Sequence, residues 1–315
     1  MTKHKGKIFF LVLFLIGLGI SYLIRSATEV TSPLSSPSAL QSKPSRIICM
    51  APNITETVFA LGGGSTVVGV ADFTTYPPQA KNLPRVGGYI DPNYEKILVL
   101  RPDLIIIQGI HSQLADFCRK KSIRLLAVDM NDLASIYSGM REIGQAIGRG
   151  ETAQHFVSSI QRDLARIRGR VQGRKRPLIF ISLGRKIGTL LGLFTTGNNS
   201  FVGELIDLAG GENVFASLQS FYPQISKEAL IKRGPDMIIE TFAGQTLTPR
   251  ERNQIIADWD ALPMLPAVKN KNIVVVTADF LLIPGPRLVQ SAAYLARIFH
   301  PECFTATGSK AGSGS

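Results

Sequence analysis

The chain has 315 residues, 45% of them hydrophobic, which is enough for two packed domains of ordinary size. Its formal net charge is +12, and much of that charge lies in an arginine-rich run between residues 162 and 176. No aromatic side chains are interleaved with these arginines, so the run favours a solvated helix face near anionic lipid headgroups and argues against nucleic-acid binding. Three cysteines, Cys49, Cys118 and Cys303, are too few for a disulfide scaffold, and we expect buried thiols.

The N-terminal residues have the pattern of an export signal. Lys3, Lys5 and Lys7 precede an apolar run over residues 8–24, which is typical of a basic region followed by a hydrophobic segment. No good cleavage site follows, so residues 1–26 are interpreted as a signal peptide or an N-terminal membrane anchor, and both fates stay open.

Both ends of the chain carry segments of biased composition. Residues 27–45 are rich in Ser and Pro and are predicted to be a flexible tether. Residues 305–315 are rich in Gly and Ser and are predicted to be a flexible tail. With either fate of the export signal, the rest of the chain is expected in the periplasm or at the outer face of the cytoplasmic membrane.

From Arg46 onward, β-prone and helical segments alternate, which predicts an α/β lobe over residues 46–134. The predicted strands are 46–50, 67–70, 104–107 and 123–128, and the predicted helices are 55–61, 93–100 and 112–121. A helical region follows over 135–172, in which Gly148 and Gly150 mark a break. Residues 173–304 resume the alternation and form a second lobe. Because no loop-like segment separates the lobes, we expect a stiff helical linker and little lobe movement on ligand binding.

One unit of sequence occurs twice. Residues 95–106 read EKILVLRPDLII, and residues 228–239 read EALIKRGPDMII. Three residues recur 133 positions later without a gap: Glu95 as Glu228, Pro102 as Pro235, and Asp103 as Asp236. A helix cap, Asn93 or Ser226, precedes each glutamate by two positions. The repeat predicts two similar lobes, and a cleft between lobes is where small ligands usually bind.

Sequence motifs for catalysis and metal binding are missing. The histidines beyond the export signal are far apart, at 111, 155 and 300, and the chain has no C-x-x-C, H-E-x-x-H, G-x-S-x-G or Walker A motif. We therefore predict no enzyme, no resident cofactor and no metal site built from protein side chains. His111 begins a helix at the carboxyl end of a strand, where a solvent-exposed loop histidine is favoured over a ligand contact.

Several segments together resemble a known family. They cover residues 46–302 in order: 51–56 (APNITE), 76–80 (YPPQA), 87–95 (GGYIDPNYE), 209–214 (AGGENV), 223–226 (PQIS) and 284–287 (PGPR). The chain is similar to the substrate-binding proteins of ABC importers that take up iron-siderophores, haem and vitamin B12. The resemblance implies two Rossmann-like α/β lobes joined by a single long backbone helix, the class III architecture. It also implies a monomer whose partners are an importer permease and its ATPase.

The resemblance also implies roles for individual residues. In the cobalamin-binding members, one glutamate on each lobe docks onto arginines of the permease, and these positions fall on Glu95 and Glu228. Aromatic side chains in those members hold the flat corrin ring, and an acidic residue lies in the cleft. The matching positions here are Phe73, Tyr89, Phe194, Tyr222 and the acidic Asp279.

Two departures from that pattern leave the ligand open. Gln108 stands where a tryptophan is expected, and Ile283 stands where a basic residue is expected. The ligand is therefore expected to be a corrinoid or an iron chelate, with a ferric-siderophore or haem receptor as the alternative. Three basic residues of the cleft loops are candidates to meet an anionic siderophore: Arg85, Arg185 and Lys186. Tyr89 is a candidate ligand of haem iron, and a membrane-tethered ligand sensor without transport is a further alternative.

Overall fold

The computed structural model describes residues 43–304, which form two α/β lobes. The strands are β1 Ile47–Cys49, β2 Val67–Val70, β3 Leu104–Gln108, β4 Arg124–Val128, β5 Leu178–Ser182, β6 Leu193–Phe194, β7 Glu212–Asn213, β8 Gln224–Ile225, β9 Met237–Thr241 and β10 Ile273–Val276. The helices are α1 Pro52–Ala60, α2 Tyr94–Val99, α3 Ser112–Lys120, α4 Leu133–Ala146, α5 Gly150–Val171, α6 Phe201–Leu208, α7 Lys227–Arg233, α8 Pro249–Ala257, α9 Pro266–Lys269 and α10 Leu288–Phe299. Short 3-10 turns occupy Gly64–Thr66, Pro78–Asn82, Asp258–Ala261, Asp279–Leu282 and Pro301–Cys303.

Three of the sequence predictions concern other parts of the chain. The export signal over residues 1–26, residues 27–42 of the predicted tether and the tail over residues 305–315 lie outside the described residues. Across residues 43–304, no helix combines the length and the apolar character needed to cross a bilayer.

The central sheets of the two lobes have the same topology. In the first lobe the parallel strands lie in the order β2-β1-β3-β4, and in the second the order β7-β5-β9-β10 repeats it. Each copy of the repeated unit supplies a helix followed by the third strand of that order, α2 with β3 and α7 with β9. An additional antiparallel ribbon, β6 with β8, belongs to the second lobe. The prediction of two similar lobes is confirmed.

The linker between the lobes is helical, as predicted, and it is interrupted once. Helix α4 ends before Gly148, whose φ of +69° is left-handed and stops the helix. Helix α5 then runs for 22 residues, a length of about 33 Å. Its buried residues recur at helical spacing along one face: Ala153, Val157, Ile160, Leu164, Ile167 and Val171. The linker is thus anchored along its whole length by apolar packing.

One apolar core extends through both lobes. Ile47 and Ile106 from the first sheet, Val157 from α5, and Ile181 and Ile239 from the second sheet belong to the same buried cluster. Smaller clusters fill the outer side of each sheet. The lobes therefore share their packing instead of meeting only at a hinge.

Candidate ligand cleft and docking carboxylates

A cavity of about 220 Å³ lies between the lobes, at the carboxyl ends of the strands. The first lobe supplies one wall and the second lobe the other. Its lining residues are Met50, Pro52, Asn53, Ala71, Asp72, Phe73, Thr75, Gly88, Tyr89, Ile90 and Asp91 from the first lobe, and Ala243, Gly244, Asp279, Leu282, Ile283 and Pro284 from the second. The structure therefore has the interlobe cleft that the repeat predicted.

Three of the predicted ligand contacts lie in this wall: Phe73, Tyr89 and Asp279. Phe73 has a φ of +63° and its side chain is 54% exposed. A left-handed backbone is unfavourable for a bulky residue, and here it holds an aromatic ring at the cleft mouth. An exposed, strained aromatic at a cavity is typical of a binding residue.

Tyr89 is held by contacts within its own lobe. Its hydroxyl donates to the carbonyl of Ile110 at 2.8 Å, and its ring lies edge-on to His111 at 5.4 Å. His111 in turn accepts a hydrogen bond from the backbone of Leu114 through Nδ1 and so caps α3. Burial raises the pKa of Tyr89, which disfavours the tyrosinate form that a ferric haem would bind.

The other predicted contacts, Gln108, Phe194 and Tyr222, are not part of the cavity wall. Gln108 is buried at the end of β3 and accepts a hydrogen bond from Asn53 Nδ2 at 2.8 Å, so it reaches the cavity through Asn53. Tyr222 is buried in the shared core, where burial raises its pKa, and Phe194 packs against that core. Their contacts with a ligand stay predictions.

Asp279 belongs to a partly buried ion-pair network that joins the lobes. Arg287 donates to both oxygens of Glu56, at 2.6 and 2.9 Å, and to Asp279 at 2.9 Å. The guanidinium also lies 4.5 Å from the ring centroid of Tyr76. Burial raises the pKa of Glu56, and the hydrogen bonds and charge of Arg287 partly offset that rise. Asp279 thus lines the cavity, and its carboxylate accepts a hydrogen bond from Arg287.

Glu56 lies in α1, which begins earlier than predicted. The helix begins at Pro52 and not at Thr55, since proline is well suited to the first turn of a helix. Asn53 in that first turn donates to the carbonyl of Pro284 at 3.2 Å, which is a second bond between the lobes. The sequence places Glu56 only at a helix start, because its partner Arg287 lies 231 residues away.

The expectation that Arg185 meets an anionic ligand is wrong. Its side chain is fully buried and donates to Glu240 and Asp258, both at 2.6 Å. The guanidinium also lies 5.7 Å from the ring centroid of Trp259. Two carboxylates neutralise this arginine inside the second lobe, because a buried charge is tolerated only with partners.

The two other candidates to meet an anionic ligand, Arg85 and Lys186, differ in exposure and in contacts. Arg85 donates to the backbone carbonyls of Ala71 and Lys81, both at 3.1 Å, and so it braces the loop that carries Phe73. Lys186 is exposed next to the buried arginine and stays a candidate.

The glutamates of the repeat, Glu95 and Glu228, are both exposed in the first turn of their helices. The predicted caps are present: Asn93 Oδ1 accepts from the backbone of Lys96 at 2.9 Å, and Ser226 Oγ accepts from that of Ala229 at 3.1 Å. Hydrogen bonds from its own backbone N–H and from Ser226 lower the pKa of Glu228, so its carboxylate stays charged.

The aspartates of the repeat have a structural role that the sequence left unassigned. Asp103 accepts from the backbone of Ser45 at 2.7 Å and of Arg46 at 3.1 Å, and Asp236 accepts from that of Leu178 at 3.0 Å. Each aspartate thereby fixes the start of the neighbouring central strand, β1 or β5. Burial alone would raise the pKa of Asp103, but these hydrogen bonds outweigh it and lower the pKa.

Comparison with known proteins gives a consistent result. The sequence matches the family described as periplasmic binding protein over residues 47–280. An ABC transporter substrate-binding lipoprotein of Bacillus subtilis, YvrC, is 28% identical over 273 residues, 84% of this chain and 83% of the relative. The solved vitamin B12-binding protein BtuF of Vibrio cholerae has a TM-score of 0.68 and 26% identity, covering 83% of this chain and 98% of that one. A haem-binding protein of Pseudomonas aeruginosa has a TM-score of 0.70 and 25% identity, covering 82% and 93%.

The chain belongs to the periplasmic binding protein family, since the match covers well over half of its length. Its fold, two α/β lobes joined by a long helix with a cleft between them, is the class III architecture of that family. Members of this family are extracytoplasmic substrate-binding components of transport systems, and ABC importers are their partners.

Proposed function

We propose that this protein captures a corrinoid or an iron chelate in the interlobe cleft and delivers it to an ABC importer. The observation that carries the proposal is the cleft wall, which both lobes supply and which is mostly apolar, with Phe73 exposed at its mouth. A flat macrocycle buries a large apolar area against such a wall. In this role the protein performs no chemistry on the ligand. Any cobalt or iron is part of the transported ligand and not a resident cofactor.

The experiment that tests the ligand is an absorbance titration of the purified protein with cobalamin, haemin and ferric siderophores. We expect cobalamin to be retained through gel filtration with a shifted spectrum. Phe73→Ala should weaken retention by about tenfold, since it removes an aromatic contact area. Phe304→Ala is the control, because Phe304 packs beside Arg170 and Arg297 and is not part of the cavity wall. Failure to retain cobalamin at any concentration would remove the corrinoid from consideration.

A haem or siderophore receptor is the second candidate, and the haem-binding protein of Pseudomonas aeruginosa supports it. Two observations put it behind the corrinoid. The hydroxyl of Tyr89 is already engaged with Ile110 and its pKa is raised by burial, and Arg185 is neutralised by Glu240 and Asp258. Retention of haemin with an iron–tyrosinate absorption band that disappears in Tyr89→Phe would reverse this order.

We infer that Glu95 and Glu228 dock the protein onto basic residues of the permease. Their exposure, their equivalent positions on the two lobes and the lowered pKa of Glu228 support a charged contact made at two points. Glu95→Lys with Glu228→Lys should leave ligand affinity unchanged and abolish uptake into cells. Glu151→Lys is the control, since it also changes an exposed first-turn glutamate, but on the linker helix. Uptake that survives the double reversal would show that docking lies elsewhere.

We further propose that the protein acts as a monomer outside the cytoplasm and that its N-terminal apolar segment anchors it to the membrane. The lipoprotein relative of Bacillus subtilis supports attachment in this family. No cysteine lies close after the apolar run here, so the apolar segment itself is the proposed anchor. Extraction of membranes with alkaline carbonate tests the anchor. Release of the full-length chain into the wash would contradict it.

A further inference from the structure

A second pair of matched side chains lies beside the glutamates of the repeat. Leu98 and Ile231 are separated by the same 133 residues, and they are 40% and 37% exposed. Each lies three residues after its glutamate in the same helix, so carboxylate and aliphatic side chain share one face and are one turn apart. The residues that precede them, Ile97 and Leu230, are fully buried and hold each helix against its lobe.

The rest of the outer helix face differs between the two copies. Lys96 is matched by Ala229, and Val99 is matched by Lys232. A single exposed aliphatic residue is ordinary and needs no explanation. Its recurrence at the same offset from a glutamate, on both lobes and among neighbours that diverged, indicates that one contact uses the same pair of groups twice.

We propose that each docking point on the permease is a composite, with a basic side chain for the glutamate and an apolar surface for the adjacent Leu98 or Ile231. This inference rests on the proposed docking role of Glu95 and Glu228. The apolar contact excludes water next to the ion pair, and a charge-assisted bond is stronger where water is excluded. The partner that fits is a protein surface that presents the same basic and apolar pair twice, one for each lobe.

Family membership argues for a permease as the occupant of this surface, because ABC importers are the partners of the periplasmic binding proteins. An anionic bilayer and a second copy of the chain are the other occupants that such a surface could take. Both remain outcomes of the test, through binding to empty nanodiscs and through oligomeric state.

The test measures binding of the purified protein to its permease–ATPase complex in lipid nanodiscs, at low and high salt. Leu98→Gln with Ile231→Gln should weaken binding by about 100-fold, about tenfold for each residue. The salt dependence should persist and become steeper, because both glutamates remain while their ion pairs lose the apolar contact that excludes water. Glu95→Gln with Glu228→Gln should weaken binding and also flatten the salt dependence. Thermal unfolding of each variant checks that the fold is intact.

Ile256→Gln is the matched control, because Ile256 is 38% exposed on a helix of the second lobe that lies outside the repeat. Equal affinities for the Leu98→Gln/Ile231→Gln variant and the control would overturn the composite contact while leaving the role of the glutamates intact. Unchanged binding of the Glu→Gln pair would overturn the docking role itself. Binding of the wild type to empty nanodiscs, or dimerisation that the Leu98→Gln/Ile231→Gln change abolishes, would assign the surface to lipid or to a second copy and overturn the proposal.

Discussion

Replacing Arg287 with methionine tests the ion pair that joins the two lobes beside the cleft. The side chain of Glu56 is 1% exposed, and both of its oxygens accept hydrogen bonds from Arg287. Without the guanidinium, the buried carboxylate loses its positive partner and keeps its desolvation penalty. Removing one member of a buried pair costs about 3–5 kcal/mol. Methionine retains part of the apolar contact with Tyr76, so we expect the free energy of unfolding to fall by about 3 kcal/mol at pH 7.

The pH dependence of this loss identifies its cause. Burial already raises the pKa of Glu56, and Arg287 provides the interactions that hold it down. In the variant the folded-state pKa rises further above the unfolded value. A raised pKa contributes stability that is present below the unfolded pKa and is lost as the pH rises through the folded pKa. The deficit relative to wild type should therefore be smaller at pH 5 than at pH 7 in urea unfolding experiments.

Two further variants test whether the unpaired Glu56 carboxylate causes the loss of stability. Adding Glu56→Gln to Arg287→Met should restore part of the stability, because the unpaired charge is gone. Arg297→Met, which changes an exposed arginine of α10, should alter the free energy of unfolding by no more than about 0.5 kcal/mol. A deficit for Arg287→Met below about 1 kcal/mol, or one that does not change between pH 5 and pH 7, would refute the account.

Three other predictions concern the interior. Arg185→Met removes the charged partner of the buried Glu240 and should cost about 3–5 kcal/mol in urea unfolding; a loss near zero would contradict the pairing. Asp103→Asn should destabilise the protein by about 1–2 kcal/mol at neutral pH. Because the folded pKa of Asp103 is lowered, its contribution is present above the unfolded pKa and is lost as the pH falls through the folded pKa. The melting temperatures of variant and wild type should therefore converge as the pH falls below the range in which an ordinary aspartate titrates. Burial raises the pKa of Cys49 to about 12 and of Cys118 to about 11, so a thiol reagent at pH 8 should label only the partly exposed Cys303 in the folded protein; fast labelling of two or three thiols would contradict this.

The sequence predicts the features that depend on local order. The repeat predicts two similar lobes, and the two central sheets have the same topology. The same pattern of a helix, a helix stop and a strand folds in the same way in both lobes. Asn93 and Ser226 cap their helices as predicted, since an N-cap is a contact over three residues. Gly148 ends α4 for an equally local reason, its positive φ.

The sequence does not predict the contacts made over long separations. Arg287 and Glu56 are 231 residues apart, and Arg185 is 73 residues from Asp258. No periodicity in the sequence marks such pairs. The position of Arg185 in a predicted loop therefore gives no sign that its side chain is buried. Tyr222 is a second case, because the packing of this loop aromatic into the shared core is a long-range contact that no local pattern marks.

The lobes are bonded to each other on more than one side, and this bears on how far they move when a ligand binds. Beside the cleft, Arg287 pairs with Glu56. At the start of α4, Glu204 accepts from the backbone of Leu133 at 2.6 Å, and the backbone of Phe201 donates to the carbonyl of Asn131 at 2.8 Å. Opening the cleft widely would break these polar contacts between the lobes and disrupt the core packed along α5. In a protein with an ordinary hinge, a few loop residues absorb the change in backbone φ and ψ angles. We therefore expect X-ray scattering curves with and without cobalamin to give nearly the same radius of gyration, and a large decrease on binding would refute the stiff linker.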